Sequence, residues 1–552
     1  MSEEFMEMIP LGGVGEFGMN CSAIRYGDSI ILVDAGMTFP RSDQGSGLGV
    51  NVVVPDIEFL REHRDQLLGI FLTHGHEDHI GAISYIINEI PLPIYGSRLA
   101  LGLVGNRLRE RKLKAELIPI QARQQLEVGP FRIEPIFVTH SFPESFAFAI
   151  ETAAGRILWT GDFKFDQSPI DGRTSDMHRL ASLGEEGVVA LFSDSTNSSL
   201  PGLCPSEYSV WEPMRNLFRT STGKIVVTCF SSSIHRMQIV LRLAREFGRK
   251  VMLAGRSLTS TLHKASDLGY LSIPEGVLVH SVKDLPDERV VILASGSQGE
   301  PMSAMSRLAV NEFKGVRIVE GDLVVLSARM IPGNENRIGR LVDHFYRRGA
   351  RVIEPVGTGV HASGHGFRED LKLMMSLIRP RYFIPIHGDY RQLKEHTLLA
   401  RQQGIDPDHI LLIENGDVLR LDPDQAEVVD KVHVGRRFID EGYTGEVHEM
   451  VLRDRRFLSE DGFLVVVLRM DRFEGSLIGD PELISRGFVL MEDAEDLMEA
   501  TRQEVVKIID GTPAEELRDE ELFGEILRKR LKKFLRKATG KRPMILPVML
   551  EI

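Results

Sequence analysis

Hydrophobic and polar positions follow two different rhythms along this chain. Between residues 8 and 200, short apolar runs alternate with turn residues, a pattern that is typical of β-strands. The clearest predicted strands are Ser29–Val33, Ile70–Thr73, Phe131–Thr139 and Arg156–Trp159. One helix is predicted in this part, from about Asp78 to Glu89, because isoleucines recur on one of its faces.

The rhythm changes near Pro205, where strands begin to alternate with helices as far as a last strand at Arg351–Pro355. This alternation predicts a small parallel sheet covered by helices. The predicted strands are Ile225–Phe230, Val251–Ala254, Val290–Ala294 and Leu323–Ser327, and the predicted helices are Ile234–Phe247, Leu258–Leu268, Pro301–Phe313 and about Asn336–Arg348.

The rest of the chain returns to a mixed pattern. We expect a helix at Arg368–Ile378, a strand at Tyr382–Ile386 and a hairpin over Ile410–Leu421. Residues Asp422–Val432 have little apolar periodicity and predict a linker. The last hundred residues predict a separate α+β unit, with strands at Phe463–Leu468 and Met544–Leu550 and helices at about Asp493–Ile509 and Ala514–Lys537.

Composition limits the classes of function. At 552 residues, the chain is long enough for two or three domains. The net charge of -13 means that any polyanionic ligand must be held by a local positive site. Three unpaired cysteines, Cys21, Cys204 and Cys229, predict neither disulfides nor a thiolate metal site. With an acidic N-terminus and no apolar run of about 20 residues, we expect a cytoplasmic protein without a membrane span.

The chemistry is concentrated in the segment from Thr73 to Gly81, which follows an apolar strand. It contains four ligand-type side chains within six residues, namely His74, His76, Asp78 and His79. Imidazole and carboxylate are the ligands that zinc prefers in the absence of cysteine. The alternative, a helix-capping loop that happens to be rich in histidine, explains this density poorly.

His-x-His-x-Asp-His after a strand resembles the motif of the metallo-β-lactamase superfamily. Three other residues match further motifs of that family in the expected order, each at the end of a strand: Asp34, His140 and Asp162. Singly, each is weak, because an Asp after a strand is usually a turn residue. Their order and common position strengthen the resemblance.

A second set of motifs resembles the β-CASP nucleases, and within them ribonuclease J. The matching segments are Ser193–Asn197, His361–Gly366, Pro385–Asp389, Ser297–Ala304 and Ile331–Glu335. The resemblance implies an α/β fold: a metallo-β-lactamase αββα sandwich with an inserted β-CASP parallel-sheet α/β domain and a small C-terminal α+β domain. The implied domains are 1–204 and 356–422 (metallo-β-lactamase), 205–355 (β-CASP), 423–450 (linker) and 451–552 (C-terminal, oligomerisation).

The resemblance also implies a ligand set for two Zn²⁺ per chain, with Mn²⁺ or Mg²⁺ as supporting ions. One zinc would take His74, His76 and His140; the other would take Asp78, His79 and His387. Asp162 would bridge the two ions, and Asp34 would orient a ligand from behind.

Catalysis is assigned by the same resemblance to Asp78, Asp194 and His365, with His365 as donor of a proton to the leaving 3′ oxygen. The loop His361, Ala362, Ser363, Gly364 and His365 would bind phosphate. The implied activity is hydrolysis of RNA, both 5′-to-3′ and internally, in RNA maturation and decay, with a preference for 5′-monophosphorylated strands. A homodimer or homotetramer and an RNA-degradation complex are implied as assemblies.

Some features allow two interpretations. The segment Ser231, Ser232, Ser233, His235 and Arg236 precedes and opens a helix, where it could bind the RNA backbone or a 5′-phosphate; a plain serine N-cap fits the spacing nearly as well. Basic clusters at Arg107–Lys112 and Arg528–Lys537 could guide RNA or could be solvated helix faces.

Two departures and two rival functions complete the sequence picture. The loop Arg41–Gly47 is rich in Gly and Ser, and Asn51 stands where related sequences tend to carry Asp, so an extra structural cation there is in doubt. Gly13, Gly15 and Gly18 fit a dinucleotide-binding pattern, but a predicted hairpin rather than a helix follows them, so we reject that function. The rivals are a thioester or lactam hydrolase of the same fold and an RNA-binding protein without activity.

Overall fold

The computed structural model describes residues 5–40, 48–331, 333–440, 445–447, 449–471, 476–489 and 494–551. The chain divides into two compact units, Met1–Phe39 with Val53–Arg436 and Pro40–Val52 with Arg437–Ile552. The Gly- and Ser-rich loop Arg41–Gly47, where the sequence departs from the family it resembles, lies outside the described residues.

The first unit contains two sheets that pack face to face. Strand Ser29–Val33 shows how the sequence achieves this, because successive side chains of a strand point to opposite faces. Ile30 and Leu32 pack with helices on the outer face. Ile31 and Val33 pack against the second sheet in a shared core. The sandwich is therefore built from strands that are buried on both faces.

The first sheet has eight strands, in the spatial order Ala426–Lys431, Asp417–Leu421, Met6–Gly12, Cys21–Tyr26, Ser29–Val33, Leu67–Phe71, Ile94–Gly96 and Leu117–Pro119. The second has six, in the order Tyr382–Ile386, Ala190–Asp194, Gly155–Trp159, Ser145–Thr152, Phe131–Val138 and Leu126–Val128. A short strand at Val14–Gly15 pairs in parallel with Gly388–Asp389.

Helices cover the outer faces of both sheets. They are Glu58–Glu62, Glu77–Ile80, Ile83–Glu89, Arg98–Glu110, Met177–Glu186, Arg368–Ile378 and Tyr390–Gln402. The single helix predicted from Asp78 to Glu89 is in fact two short helices with a break at Gly81 and Ala82. Its isoleucines are nevertheless all buried, as their spacing predicted.

The chain segment inserted between the two segments that form the sandwich folds into a five-stranded sheet in which every pairing is parallel. Its spatial order is Lys250–Ala254, Val290–Ala294, Ile225–Thr228, Leu323–Leu326 and Arg351–Ile353. Its helices are Trp211–Thr220, Ile234–Glu246, Arg256–Asp267, Ala304–Ala309 and Glu335–Tyr346. The predicted alternation is confirmed, although the helix expected at Pro301–Phe313 is shorter because the Ser303 hydroxyl caps it by accepting from Ser306 N.

The predicted positions of the hairpin and of the linker after it are wrong, because the hairpin lies further along the chain. Asp417–Leu421 pairs antiparallel with Ala426–Lys431, so the turn falls inside the stretch 422–432 that we expected to be a linker. Ala426–Lys431 is an edge strand whose side chains are mostly exposed, and it therefore lacks an apolar pattern. The first residues of the expected 423–450 linker thus belong to the first sheet, and Arg436–Asp440 pairs with Gly445–Val447 in a further hairpin.

The second unit contains a three-stranded sheet in the order Glu482–Arg486, Phe463–Met470 and Met544–Glu551. The helices of this unit are Glu449–Asp461, Glu495–Asp510, Ala514–Leu517 and Glu520–Thr539. Alternate residues of the central strand, Leu464, Val466 and Leu468, pack with the helices in a core of their own. The predicted α+β character of this region is confirmed.

The glycine pattern at residues 13–18 is followed by strands Cys21–Tyr26 and Ser29–Val33, which form an antiparallel hairpin. A dinucleotide-binding turn requires a helix at this point, so its rejection is confirmed. No helix within the described ranges is long and apolar enough to cross a membrane.

Candidate metal centre

The predicted ligand residues converge because the strands that precede them end at one edge of the sandwich. The positions concerned are Asp34, His74 and His76 after strands of the first sheet, and His140, Asp162, Asp194 and His387 at or after the ends of strands of the second. All of these residues except Asp34 belong to overlapping groups, and within each group the ligand atoms lie within 4.8 Å of one another. Side chains 313 positions apart in sequence, such as His74 and His387, therefore share one site.

The first group is His74, His76, His140 and Asp162. His76 Nδ1 lies 2.9 Å from His74 Nε2 and 3.1 Å from His140 Nε2. The nitrogens of a tetrahedral zinc site with bonds of about 2.0–2.1 Å are separated by roughly 3.3 Å, close to these distances. Burial lowers the pKa of His76 to about 4 and holds the pKa of His74 and His140 well below its usual value. All three rings are therefore neutral and have lone pairs to donate.

The second group is Asp78, His79, Asp162 and His387. Asp78 Oδ2 lies 3.6 Å from His79 Nε2 and 3.9 Å from His387 Nε2. Asp162 belongs to both groups, and also to a third with Asp194, His365 and His387.

Hydrogen bonds behind the site orient the imidazole rings. The Nδ1 atoms of His79, His140 and His387 lie 2.7–2.9 Å from Asp34 Oδ2, Gly364 O and Asn20 Oδ1, which can only accept. Each of these Nδ1 atoms therefore carries the proton. Each Nε2 faces the centre and is the end with which these rings would hold a metal ion.

The carboxylate of Asp162 is surrounded by these nitrogens. The Nε2 atoms of His79, His387, His74 and His140 lie 3.2, 3.4, 3.6 and 3.7 Å from its oxygens. Neither oxygen makes a hydrogen bond to a residue that the structure describes, although both are buried. Burial raises the pKa of Asp162, but His387 and His79 outweigh it and hold the pKa well below its usual value.

A buried carboxylate that makes no hydrogen bond to the described residues and is ringed by four imidazole Nε2 atoms is an arrangement that bound cations would stabilise. The donor set of imidazoles and carboxylates suits zinc. None of the groups found among the described residues includes a cysteine. The residues therefore fit the predicted metals.

Asp34 supports the site from behind, where sequence analysis placed it. Its Oδ1 accepts from Thr73 N at 2.8 Å, and its Oδ2 accepts from Thr73 Oγ1 at 2.8 Å and from His79 Nδ1. The carboxylate thus fixes both the strand end before the motif and the His79 ring.

His365 and Asp194 form a pair beside the metal ligands. His365 Nδ1 lies 2.8 Å from Asp194 Oδ2, and His365 Nε2 lies 3.8 Å from Asp162 Oδ2. Burial lowers the pKa of His365, but the carboxylates of Asp194 and Asp162 outweigh it and raise the pKa to about 9. The structure thus brings the predicted proton donor and its partner together at the centre.

The loop 361–365 lies against the same centre. Ser363 Oγ accepts from Asn197 Nδ2 at 2.9 Å and from the His365 amide at 3.2 Å. The close approach of Gly364 to His140 leaves no room for a side chain, since a Cβ at Gly364 would lie 2.5 Å from His140 Cε1. Ala362 is buried, and the Nδ1 of His361 makes no hydrogen bond within the described chain.

The segment 231–236 matches the sequence expectation only in part. Ser233 is the residue before helix Ile234–Glu246, but its side chain makes no capping hydrogen bond, which disfavours the plain N-cap interpretation. Arg236 is buried and bonded to Glu207, Ser327 and Val360. We therefore correct the expectation that Arg236 contacts RNA, because its guanidinium is used inside the protein.

His235 is also buried. Its Nε2 lies 3.6 Å from Asp171 Oδ2. Ser231 and Ser232 remain half-buried at the surface of the loop.

Sequence reasoning missed two residues of the site, Asn20 and Asn197. Asn20 holds His387 through its Oδ1 and bonds the Asp78 carbonyl oxygen through its Nδ2 at 3.1 Å. Asn197 is buried and donates to Ser363 and to the His365 carbonyl oxygen. Asn197 closes the matching segment Ser193–Asn197, but the resemblance assigned it no role, and no spacing marks Asn20.

Four family models match the chain. A metallo-β-lactamase superfamily model matches residues 14–199, and one described as a Zn-dependent metallo-hydrolase RNA specificity domain matches residues 351–410. The ribonuclease J β-CASP domain matches residues 222–345, and the ribonuclease J C-terminal domain matches residues 450–552. Fold and site together define a metallo-hydrolase of the metallo-β-lactamase superfamily, with inserted β-CASP and C-terminal domains, as the sequence predicted.

Three relatives that match over most of their length identify the family within this class. The chain is 38% identical to Ribonuclease J2 of Bacillus subtilis, over 100% of this chain and 99% of that protein. It is 39% identical to Ribonuclease J of Thermus thermophilus (100% and 96%) and 40% identical to that of Synechocystis (88% and 76%). The chain belongs to the ribonuclease J family.

A solved structure supports the fold alone. The crystal structure of a protein of unknown function from Enterococcus faecalis V583 matches with a TM-score of 0.54 at 15% identity, covering 76% of this chain and 100% of that one.

Proposed function

We propose that the chain hydrolyses phosphodiester bonds of RNA at two zinc ions. The observation that carries this proposal is the carboxylate of Asp162, which is buried, faces the Nε2 atoms of four histidines and makes no hydrogen bond within the described parts of the chain. Family membership supplies RNA as the substrate class.

His74, His76 and His140 would hold one ion, and Asp78, His79 and His387 the other, with Asp162 shared between them. Two bound divalent cations would supply a nucleophilic water at neutral pH and stabilise the charge that develops at phosphorus. The role of the chain itself is to fix these ligands: the acceptors behind His79, His140 and His387 set their tautomers before any ion binds.

His365 would protonate the leaving 3′ oxygen. Asp194 accepts from its Nδ1, so Nε2 is the end that faces the centre. Since Asp194 is buried at the end of strand Ala190–Asp194, its hydrogen bond orients the His365 imidazole, as a general acid requires.

The backbone amides of loop 361–365, with Ser363, would bind the phosphate next to the metal centre. The hydroxyls of Ser231, Ser232 and Ser233 lie at the end of strand Ile225–Thr228 without a capping role for Ser233, which suits an anion such as a 5′-monophosphate. We therefore propose 5′-to-3′ exonuclease action on monophosphorylated strands, together with internal cleavage.

The test is a single-stranded RNA with a radioactive 5′-monophosphate, incubated with the protein in zinc, with Mn²⁺ or Mg²⁺ added in parallel, and with chelator as a control. Release of labelled mononucleotide indicates exonuclease action, and shorter labelled fragments indicate internal cleavage. His76→Ala should lose both metal and activity, whereas His365→Ala should keep the metal and cut at least about 100-fold more slowly. Undamaged RNA with the zinc-loaded protein, or full activity of His76→Ala, would overturn the proposal.

We also propose that the C-terminal unit joins copies of the chain into a dimer or tetramer. One face of its sheet exposes Ile484, Leu546, Val548 and Leu550, which are 39–46% accessible. The strands place Val465 between Ile484 and Leu546, so these side chains form one apolar surface. Such a surface is typical of protein interfaces.

A further inference from the structure

Arg329 is a cation beside the metal centre without an acidic partner. Its Nη1 donates to Asn197 Oδ1 at 2.5 Å. No carboxylate of the described residues forms an ion pair with it, although the chain contains 79 acidic and 66 basic residues. Nε and Nη2 make no hydrogen bond to any residue that the structure describes.

The surroundings of Arg329 connect it directly to the site. Asn197, which accepts from Arg329, donates to Ser363 Oγ and to the carbonyl oxygen of His365. Arg329 therefore lies one side chain away from the loop that we propose binds phosphate. Burial and the positive charges of Arg236 and Arg329 also lower the pKa of His361 in that loop to about 3.

The fold places Arg329 where ligands commonly bind. It follows strand Leu323–Leu326 at the carboxyl edge of the parallel sheet, the edge at which open α/β sheets bind their ligands. Its backbone is held in place, since Gln298 Nε2 donates to the Arg329 carbonyl oxygen at 3.0 Å and Ile331 N donates to Gln298 Oε1.

Arg236 provides a contrast within the same region. It bonds the Ser327 carbonyl oxygen, but Glu207 neutralises it and it is buried. Arg329, by comparison, is exposed, and among the described residues its side chain bonds only a neutral amide oxygen. An arginine that is fixed at one nitrogen and keeps two donors free is prepared for an anion.

We propose that Arg329 binds a nonbridging phosphate oxygen of the RNA strand adjacent to the phosphate that is cut, and so determines how tightly the strand is held. This inference rests on the proposed function, because it assumes that the strand enters the metal centre. Arg329 is thus a substrate-binding residue that the motifs of the sequence did not indicate.

The test compares Arg329→Gln with Arg329→Lys. Gln can still donate to Asn197 but loses the charge, whereas Lys keeps the charge. We expect Arg329→Gln to raise KM for RNA about tenfold with kcat within about twofold, since a charge-assisted contact is lost. A plot of log affinity against log salt has a negative slope, and Arg329→Gln should make it shallower by about 0.7, the value for one phosphate contact on a single strand. Arg329→Lys should leave this slope unchanged.

Arg317→Gln is the matched control, because Arg317 is an exposed arginine of the same parallel-sheet domain and the change in net charge is identical. Bis(p-nitrophenyl) phosphate, a small diester without a neighbouring phosphate, should be hydrolysed equally by wild type and Arg329→Gln, with equal metal content.

The inference is overturned if Arg329→Gln matches Arg317→Gln in KM and salt slope. It is also overturned if Arg329→Gln loses hydrolysis of the small diester to the same extent, because Arg329 would then only support Asn197. If the wild-type protein cuts no RNA at all, the proposed function fails, and this result is distinct from either of the others.

Discussion

At the scale of single residues, the metal centre is framed by two strained backbone positions. Asp34 has a φ of 61° and His387 a φ of 55°, in the left-handed region that residues other than glycine seldom adopt. Each such position costs about 1 kcal/mol or more. Asp34 is held there by its amide, which donates to Phe71 O, and by the bonds of its carboxylate to Thr73 and His79. Strain at these positions accompanies the placement of one proposed ligand, His387, and of the carboxylate that orients another, His79.

Asp34→Asn tests the supporting role of Asp34 while keeping the backbone, because asparagine tolerates the left-handed region. The amide cannot accept from Thr73 N, Thr73 Oγ1 and His79 Nδ1 together, so the His79 ring should lose its fixed orientation. We expect metal affinity and RNA cleavage to fall by about 10- to 100-fold. Metal content by mass spectrometry after dialysis checks this, and an unchanged metal content would contradict it.

A second prediction at this scale concerns His396, which is fully buried. Its Nδ1 bonds Ser195 Oγ at 3.0 Å, its ring packs on Phe383, and its Nε2 makes no hydrogen bond within the described residues. Burial outweighs the attraction of Asp194 and lowers the pKa of His396 to about 3. Between pH 3 and 6.5 the unfolded chain therefore binds a proton here that the folded chain does not, so stability falls as the pH falls through this window.

His396→Gln should remove this contribution. The free energy of unfolding of the wild type should decrease more steeply between pH 6.5 and pH 5 than that of the variant, by up to about 1.4 kcal/mol per pH unit. Urea unfolding at several pH values measures both slopes, and His263→Gln on the exposed surface is the matched control. Equal slopes for wild type and His396→Gln would show that the buried imidazole is not the cause.

At the residue scale, the sequence predicted those site residues whose side-chain type and spacing are typical of metal ligands. His74, His76, Asp78 and His79 are recognisable because metals require such side chains close together. Asn20, Asn197 and Arg329 act through their position alone, which depends on contacts between distant segments. The burial of Arg236 against Glu207 likewise became visible only in three dimensions.

At the scale of elements, the metal motif depends on a close contact between two loops. A Cβ at Gly36, just after strand Ser29–Val33, would lie 1.6 Å from the carbonyl oxygen of Asp78. The backbone bonds Ala35 N to His79 O and Met37 N to Glu77 O hold the two loops at this distance. The motif is therefore shaped by packing against its neighbouring strand end.

Gly36→Ala should force these loops apart. We expect a loss of stability of about 3 kcal/mol, the upper range for an overpacked core, together with reduced metal binding. Gly339→Ala is the matched control: helix Glu335–Tyr346 leaves open space at Gly339, so alanine should stabilise by up to about 1 kcal/mol. Thermal unfolding of both variants measures the difference, and a Gly36→Ala protein with wild-type stability and metal content would refute the packing argument.

Helices and strands with regularly spaced apolar residues were predictable from the sequence. Elements that contain glycines or mostly exposed side chains were not. Helix Arg368–Ile378 and strands Tyr382–Ile386 and Val290–Ala294 have the predicted bounds. Helix Arg98–Glu110 was missed because Gly102 and Gly105 lower its helix propensity; those glycines instead allow Lys264 and Leu117 to approach. The edge strand Ala426–Lys431 was missed because its exposed side chains carry no pattern.

At the scale of the whole molecule, a chain with a net charge of -13 would bind a polyanion. In the proposed mechanism, the positive charge that attracts RNA is local. It comes from two cations, Arg329 and the amides of loop 361–365. The fold makes this placement possible, because both sheets of the sandwich end their strands at the metal centre and the parallel sheet presents Arg329 on its carboxyl edge.

Assembly also belongs to this scale. Val548→Lys on the apolar sheet face of the C-terminal unit should convert the proposed dimer or tetramer to a monomer, because a buried interface would then contain an unpaired charge. Leu522→Lys is the matched control, since Leu522 is a comparably exposed leucine on helix Glu520–Thr539 of the same unit. Light scattering coupled to size exclusion measures the mass, and an unchanged oligomer of Val548→Lys would exclude this face as the interface.

The central claim is that this ring of histidines and aspartates holds the two metal ions that cut RNA. Its most direct test is a titration of chelator-treated protein with zinc, in which bound metal and RNA cleavage are followed together. We predict no cleavage without metal and full recovery as bound zinc approaches about two ions per chain. Cleavage that persists in metal-free protein, or zinc that binds without restoring cleavage, would contradict the account.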